Sequence, residues 1–303
     1  MSLQDYLEEL KDPQKPLVTS KLVNLSDLTP EEAAEFDSEW PDVDVERRRQ
    51  IVSRLDDLVE DNLDLDFDAV LRLCLADPDG VVRARAVGGL EASDDRQLIE
   101  PLVDLLRDDE DSAVRAAAAG ALGKFALLAE LGKLPESDAA LVEEALLAAF
   151  DAEGEDLEVR CRALEAISPL EKTRVEDMIR QAYRSDCLDF QISAVYAMGR
   201  SCHPGWLPVL LKELHSPNPQ LRYEAVRACA EQEAEEAVHH LVDLMRDDDA
   251  EVQTSAVLAL GEIGGDEAKE ALAECLESGS EAVRKAAREA LDEMGFWEDP
   301  SAL

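Results

Sequence analysis

The stretch Val114-Arg115-Ala116-Ala117-Ala118-Ala119-Gly120-Ala121-Leu122-Gly123 returns along the chain in altered copies, and this recurrence limits the fold more than any other feature. Copies start at Val82, Val159, Phe190, Leu221, Val252 and Val283, so successive anchors lie 32, 45, 31, 31, 31 and 31 residues apart. Four equal intervals mark a stack of like units. A degenerate earlier copy is expected around Arg48, Ile51 and Leu55.

Each copy reads as a helix. Apolar residues at the anchor and four and eight places on, as in Val114, Ala118 and Leu122, form one stripe at the helical period. The central alanine is small, which suits a site where another helix approaches closely. Glycine behind the stripe, at Gly123, Gly199 and Gly261, fits a left-handed helix end. An apolar pair precedes most copies (Leu102-Val103, Met178-Ile179, Leu210-Leu211, Leu241-Val242, Ala271-Leu272) and predicts a partner helix. Asp, Asn and Pro mark the turn between the two, as in Asp77-Pro78 and Ser216-Pro217-Asn218-Pro219. Aromatic residues make up 4% of the chain, so the core must come from Leu, Val and Ala. A two-helix unit that thin buries its apolar face only against its neighbours. The expectation is an all-α, right-handed α-solenoid of about seven stacked hairpins behind the degenerate repeat.

The pattern D-x-x-V-R-x-x-A-x-x-x-L-G, complete from Asp111 to Gly123, resembles the short HEAT-like repeats named for phycobilisome bilin lyases. The resemblance covers residues 42–303 and leaves 1–41 as a non-repeat segment expected to cap the array. It implies first a non-catalytic protein-binding scaffold or assembly adaptor. Its second implication is a bilin-lyase-like chaperone of a tetrapyrrole or of another protein. A related repeat architecture houses iron-dependent deoxyhypusine hydroxylases, whose ligands are His-Glu pairs. Here the histidines precede Pro204, Ser216, His240 and Leu241, and that pairing is missing. No phosphate loop, dinucleotide fingerprint, nucleophile elbow or zinc spacing appears either. Neither catalysis, a cofactor nor a metal is expected. An acid usually opens the same helix (Asp79, Asp111, Asp156, and Glu281 one place later), so the arginine after the anchor (Arg83, Arg115, Arg160, Arg222, Arg284) is read as part of a structural ladder of Arg to Asp or Glu between repeats.

Two departures from the repeat are informative. In the N-terminal segment Thr29-Pro30-Glu31-Glu32 is a helix start, with Thr29 as N-cap, Pro30 first and Glu32 completing a capping box. Phe36 and Trp40 then share one face. The 45-residue interval predicts about 14 inserted residues that carry the helix past Gly123, with a restart at Pro135 capped by Ser137 or Asp138.

The chain holds 70 acidic and 30 basic residues, a formal charge of −40. Such a field repels phosphate backbones and anionic membranes, so nucleic acid and membrane are not expected as partners. Another protein or protein complex is. Arginine outnumbers lysine 21 to 9, a balance that also fits adaptation to a salty cytoplasm. No apolar run is expected to span a membrane. Met1 to Leu10 carries Asp5, Glu8 and Glu9 instead of a leader's apolar stretch. The six cysteines show no C-x-x-C pair and read as reduced thiols in a cytoplasmic protein.

The charge is uneven. Residues 172–246 hold eleven acidic and nine basic residues, which leaves −2 there and −38 elsewhere. The same window holds all four histidines, three of the four tyrosines and Trp206. Its candidate partner-binding residues are Arg180, Tyr183, Arg184, Tyr196, Trp206, Lys212, His215, Arg227, His239 and Arg246. Register puts Arg180, Lys212 and Asp243 in one column of the partner helices, and Tyr183, His215 and Arg246 in the next. Arg180, Arg184 and Arg246 would suit an acidic or phosphate-bearing element of a partner.

Overall fold

The computed structural model describes residues 2–12, 14–62, 64–278 and 280–298, and every regular element among them is helical. The fold is an all-α solenoid divided into two compact units, Met1–Ile167 and Ser168–Leu303.

The first unit opens with α1 (Leu3–Lys11), α2 (Pro30–Glu39) and α3 (Val45–Asp61). Three hairpins follow: α4 (Asp68–Cys74) with α5 (Gly80–Gly89), α6 (Ile99–Asp108) with α7 (Ser112–Glu130), and α8 (Glu136–Asp151) with α9 (Leu157–Ile167). The second unit adds four more: α10 (Thr173–Tyr183) with α11 (Leu188–Arg200), α12 (Leu207–Glu213) with α13 (Pro219–Glu231), α14 (Val238–Leu244) with α15 (Ala250–Ile263), and α16 (Asp266–Ser278) with α17 (Glu281–Glu298). Among the described residues that makes the seven hairpins expected, and α3 stands where the degenerate copy was placed.

The second helices of the hairpins pack on one another, α5 on α7 on α9 and α11 on α13 on α15 on α17. The repeated stripe causes this. The alanine four places after the anchor (Ala86, Ala118, Ala163, Ala194, Ala225, Ala256, Ala287) is fully buried in all seven copies. In α17 the buried face comprises Val283, Ala286, Ala287, Ala290 and Met294, with Leu291 half-buried.

Gly199 and Gly261 do not cap helices but lie inside α11 and α15, and Gly123 lies inside α7, as expected from the insertion that carries this helix past it. A Cβ on Gly199 would stand 2.7 Å from the Ala228 Cα, and one on Gly261 would stand 2.7 Å from the Ala290 Cβ. On Gly123 it would meet the Ala166 Cα at 3.1 Å. These glycines let the next repeat's helix approach. Left-handed residues come three places after Gly199 and Gly261, at Cys202 (φ 47°) and Gly264 (φ 76°), and after α13 at Glu233 (φ 48°).

For Arg83, Arg115 and Arg222 the arginine ladder runs to an acid of the following repeat. Arg83 grips Asp109 through Nε (2.7 Å) and Nη2 (2.8 Å), Arg222 grips Asp247 at 2.7 and 2.6 Å, and Arg115 reaches Glu155 at 2.7 Å. Each also donates Nη1 to a carbonyl six residues back, those of Asp77, Ser216 and Asp109. Asp79 and Asp111 cap their own helices, accepting from the Val82 and Ala113 amides. Asp79 also accepts from Arg49, one rung earlier. The bridging acids Asp109 and Asp247 sit in the turn of the following repeat, where each also accepts a backbone amide, those of Asp111 and Asp249.

The insertion lengthens α7 to 19 residues. The restart has Pro135 at the N-cap, and Ser137 and Asp138 fall in the first turn without capping. By length and composition α7 could cross a membrane, contrary to the expectation from the sequence. Its apolar residues pack here on α5, α6, α8 and α9, and Val114, Ala118, Leu122, Phe125 and Ala126 are buried. At the N-terminal end Thr29 and Glu32 form the expected capping box. Phe36 stacks on Trp40 with centroids 4.8 Å apart, and the Trp40 indole donates to Asp77 at 2.7 Å.

Candidate binding surfaces of the second unit

The ten residues singled out in the sequence fall on two layers of the second unit. Arg180, Tyr183, Arg184, Trp206, Lys212, His215, His239 and Arg246 belong to the first helices and their adjoining turns. Tyr196 and Arg227 belong to α11 and α13.

In the first layer, the Arg180 guanidinium lies over the buried Trp206 ring at 5.0 Å and pairs with Glu176 (2.8 Å) and Asp177 (3.4 Å). Tyr183 donates its hydroxyl to the buried Glu213 at 2.5 Å. Lys212 donates to the same carboxylate (2.8 Å) and to the Tyr183 oxygen (2.9 Å), with its ammonium 5.4 Å from the Tyr183 ring. Burial alone would raise the Glu213 pKa, yet the Lys212 and Tyr183 hydrogen bonds outweigh it and hold the carboxyl below the usual range. The column Tyr183, His215, Arg246 does not form a single contact set. His215 Nε2 instead meets His240 Nδ1 at 3.1 Å, and the His239 ring lies 3.7 Å from that of His240. Burial, then the two neighbouring imidazoles, lowers the His240 pKa. Among the described residues no three His, Cys, Asp or Glu side chains converge as metal ligands would. Arg184 and Arg246 are exposed, and Arg246 lines a cleft of about 460 Å³ between α14 and α16 with Glu274 and Cys275.

In the second layer Arg227 stands 5.8 Å from the Tyr196 ring and 5.9 Å from that of Tyr223, with Glu224 at 3.7 Å. Beside it a cleft of about 730 Å³ opens between α13 and α15. Tyr223, Arg227 and Glu231 line it from α13, and Glu251, Leu258 and Glu262 from α15. Tyr223 and the α15 residues were not among those picked from the sequence. The signal available was Leu258, six places after its anchor, where Tyr196 and Arg227 stand in their own copies and an apolar residue breaks the solvent-facing pattern.

The HEAT-repeat family matches residues 67–152 and 207–292. No curated protein matches the chain by sequence. Similar solved structures include the Escherichia coli protein YibA, 16% identical over 78% of this chain and 95% of that one, with a TM-score of 0.45. The CpcE–CpcF complex of a Nostoc phycocyanin lyase is 19% identical over 67% of this chain and 79% of that one, with a TM-score of 0.46. Human deoxyhypusine hydroxylase is 18% identical over 97% and 96%, with a TM-score of 0.38.

Proposed function

This chain belongs to the HEAT-repeat family, and from that premise we propose that it is a non-catalytic protein-binding scaffold or assembly adaptor working through its second unit. The repeat serves unrelated purposes, so the reading must rest on the surface and not on the fold. What carries it is the set of cation–aromatic contacts, Arg180 on Trp206, Lys212 on Tyr183 and Arg227 beside Tyr196 and Tyr223. Arg, Tyr and Trp dominate interface hot spots, and side chains already held in place lose less entropy on binding. The −40 charge favours a protein partner over nucleic acid. Six free thiols support a reducing, cytoplasmic location. Residues 1–41 serve as the cap of the array, a role supported by the burial of Phe36 and Trp40.

The test is partner capture from native cytosol followed by mass spectrometry, repeated with Arg180, Tyr183, Lys212 and Arg246 all changed to alanine. Capture should weaken while the helical circular dichroism stays unchanged. Full capture by the quadruple variant would sink the docking role of these residues.

A further inference from the structure

The cleft between α13 and α15 has a composition of its own. Its floor is apolar, with Ala230 and Ala259 buried and Leu258 left 45% exposed above them. Its walls carry three carboxylates, Glu231, Glu251 and Glu262, against the one guanidinium of Arg227. That guanidinium is already turned to two tyrosine rings and to Glu224. Glu231 is the unusual member. Its carboxylate oxygen sits at the close helix approach, 3.2 Å from where a Gly199 Cβ would stand, and no side chain among the described residues donates a hydrogen bond to it. Burial pushes its pKa up, and the more distant Arg200 and Arg227 offset this only in part. A half-buried carboxylate without a donor gains most from a cation brought in with a ligand.

We propose that this cleft is the docking site for a basic segment of the partner protein, in which an Arg or Lys reaches Glu231 while a neighbouring apolar side chain covers Leu258 and the face of Tyr223. The inference rests on the scaffold reading and gives it a partner chemistry. Charge complementarity selects a basic occupant over an acidic one. The open apolar floor selects a segment with aliphatic or aromatic residues over a bare polycation. A volume of about 730 Å³ accommodates several side chains.

The probes are three dye-labelled synthetic octapeptides, alternating Arg-Leu, Arg-Ser and Glu-Leu, titrated into the full chain by fluorescence anisotropy. The Arg-Leu peptide should bind, the Arg-Ser peptide about tenfold or more weaker, and the Glu-Leu peptide not at all. Glu231→Gln and Leu258→Ala should each weaken Arg-Leu binding by about tenfold, as hot-spot changes do. Glu144→Gln, on the solvent side of α8 in the first unit, removes the same charge and should change nothing. If Glu144→Gln weakens binding as much as Glu231→Gln, the peptide is held by diffuse charge and the cleft assignment is overturned. It is overturned equally if neither Arg peptide binds, or if Arg-Leu and Arg-Ser bind alike. A chain that still captures a cytosolic protein while both cleft variants leave capture and peptide binding intact refutes the cleft alone. A chain that captures no protein at all refutes the scaffold reading beneath it.

Discussion

Gly199→Ala isolates the close helix approach on which the stack depends. A Cβ at this position would lie 2.7 Å from the Ala228 Cα and 2.8 Å from its Cβ. Carbon atoms in contact settle at about 3.5–4.0 Å, so α11 and α13 must part by roughly 1 Å along this line. The obstacle is a helix backbone, which cannot swing aside as a side chain does. Overpacking of this kind costs about 1–3 kcal/mol. Against it stands the gain from replacing glycine inside a helix, about 0.5–1 kcal/mol. The net expectation is a loss of about 1–2 kcal/mol. Gly120→Ala supplies the contrast: Gly120 is also inside a helix, but its Cβ would meet nothing within 4 Å. That change should stabilise by about 0.5–1 kcal/mol. Urea unfolding followed by far-ultraviolet circular dichroism measures both, and an unchanged slope shows that stability alone has moved. If Gly199→Ala is as stable as the parent while Gly120→Ala behaves as expected, the close approach is refuted.

Three further outcomes follow from the same packing. Ala256 is fully buried at the approach position of its repeat, so Ala256→Leu should cost about 1–3 kcal/mol in the same urea assay. Glu233 holds a left-handed backbone at φ 48°, and Glu233→Gly should stabilise by about 0.5–1 kcal/mol, the relief of strain less the entropy of glycine, read as a higher unfolding midpoint. Burial works to raise the pKa of Asp109 and Asp247, but Arg83 and Arg222 hold both carboxyls below their ordinary value, and the Arg115 hydrogen bond does the same for Glu155. Their stabilisation is therefore fully present above about pH 5, clear of the ordinary carboxylate values, and is lost as pH falls through the lowered values. Arg222→Ala should cost about 3 kcal/mol at neutral pH and flatten the acid limb of the stability curve, checked by urea midpoints at several pH values.

The repeat was legible because its determinants are local and periodic. Stripe, turn residues and a 31-residue interval survive in one sequence, and Ala86 through Ala287 all landed where the period put them. Gly199 and Gly261 were misassigned because a glycine that ends a helix and one that admits a neighbour look alike along the chain. What separates them is a companion signal, the alanine seven places after the anchor of the next copy (Ala166, Ala228, Ala290). The surface columns were only partly legible for a different reason. Several cross-repeat partners lie in the turns and short helices ahead of the next repeat's second helix and so fall less than one period away, although Tyr196 and Arg227 meet a full period apart. Arg222 meets Asp247, 25 residues on, Arg180 meets Trp206, 26 on, and His215 meets His240, 25 on. Aligning residues 31 apart therefore separated pairs that touch. The N-terminal start at Thr29 was read in full, since a capping box needs only four residues.

The distribution of cations explains why the near-neutral window need not be an open positive surface. A chain with 30 basic residues must distribute them among 70 acids. The ladder takes Arg83, Arg115 and Arg222 out of circulation, since each is forked onto a carboxylate and bonded to a carbonyl. Within the window Arg180 and Lys212 are paired with acids of their own unit, and Arg227 with Glu224 and two rings. An acidic partner element would have to displace those carboxylates, one of which, Glu213, is buried beneath Tyr183. A partner cation entering the α13–α15 cleft meets the Glu231 carboxylate, to which no side chain among the described residues donates a hydrogen bond. In the proposed docking the window would act mainly through the half-buried faces of its tyrosines, which gain from burial whatever the partner's charge, while Trp206 is already covered. The surrounding acids draw a basic segment toward the protein from a distance that salt sets at roughly 8–10 Å. On the docking proposed for the α13–α15 cleft, approach and recognition would fall to different residues, with recognition in the second unit.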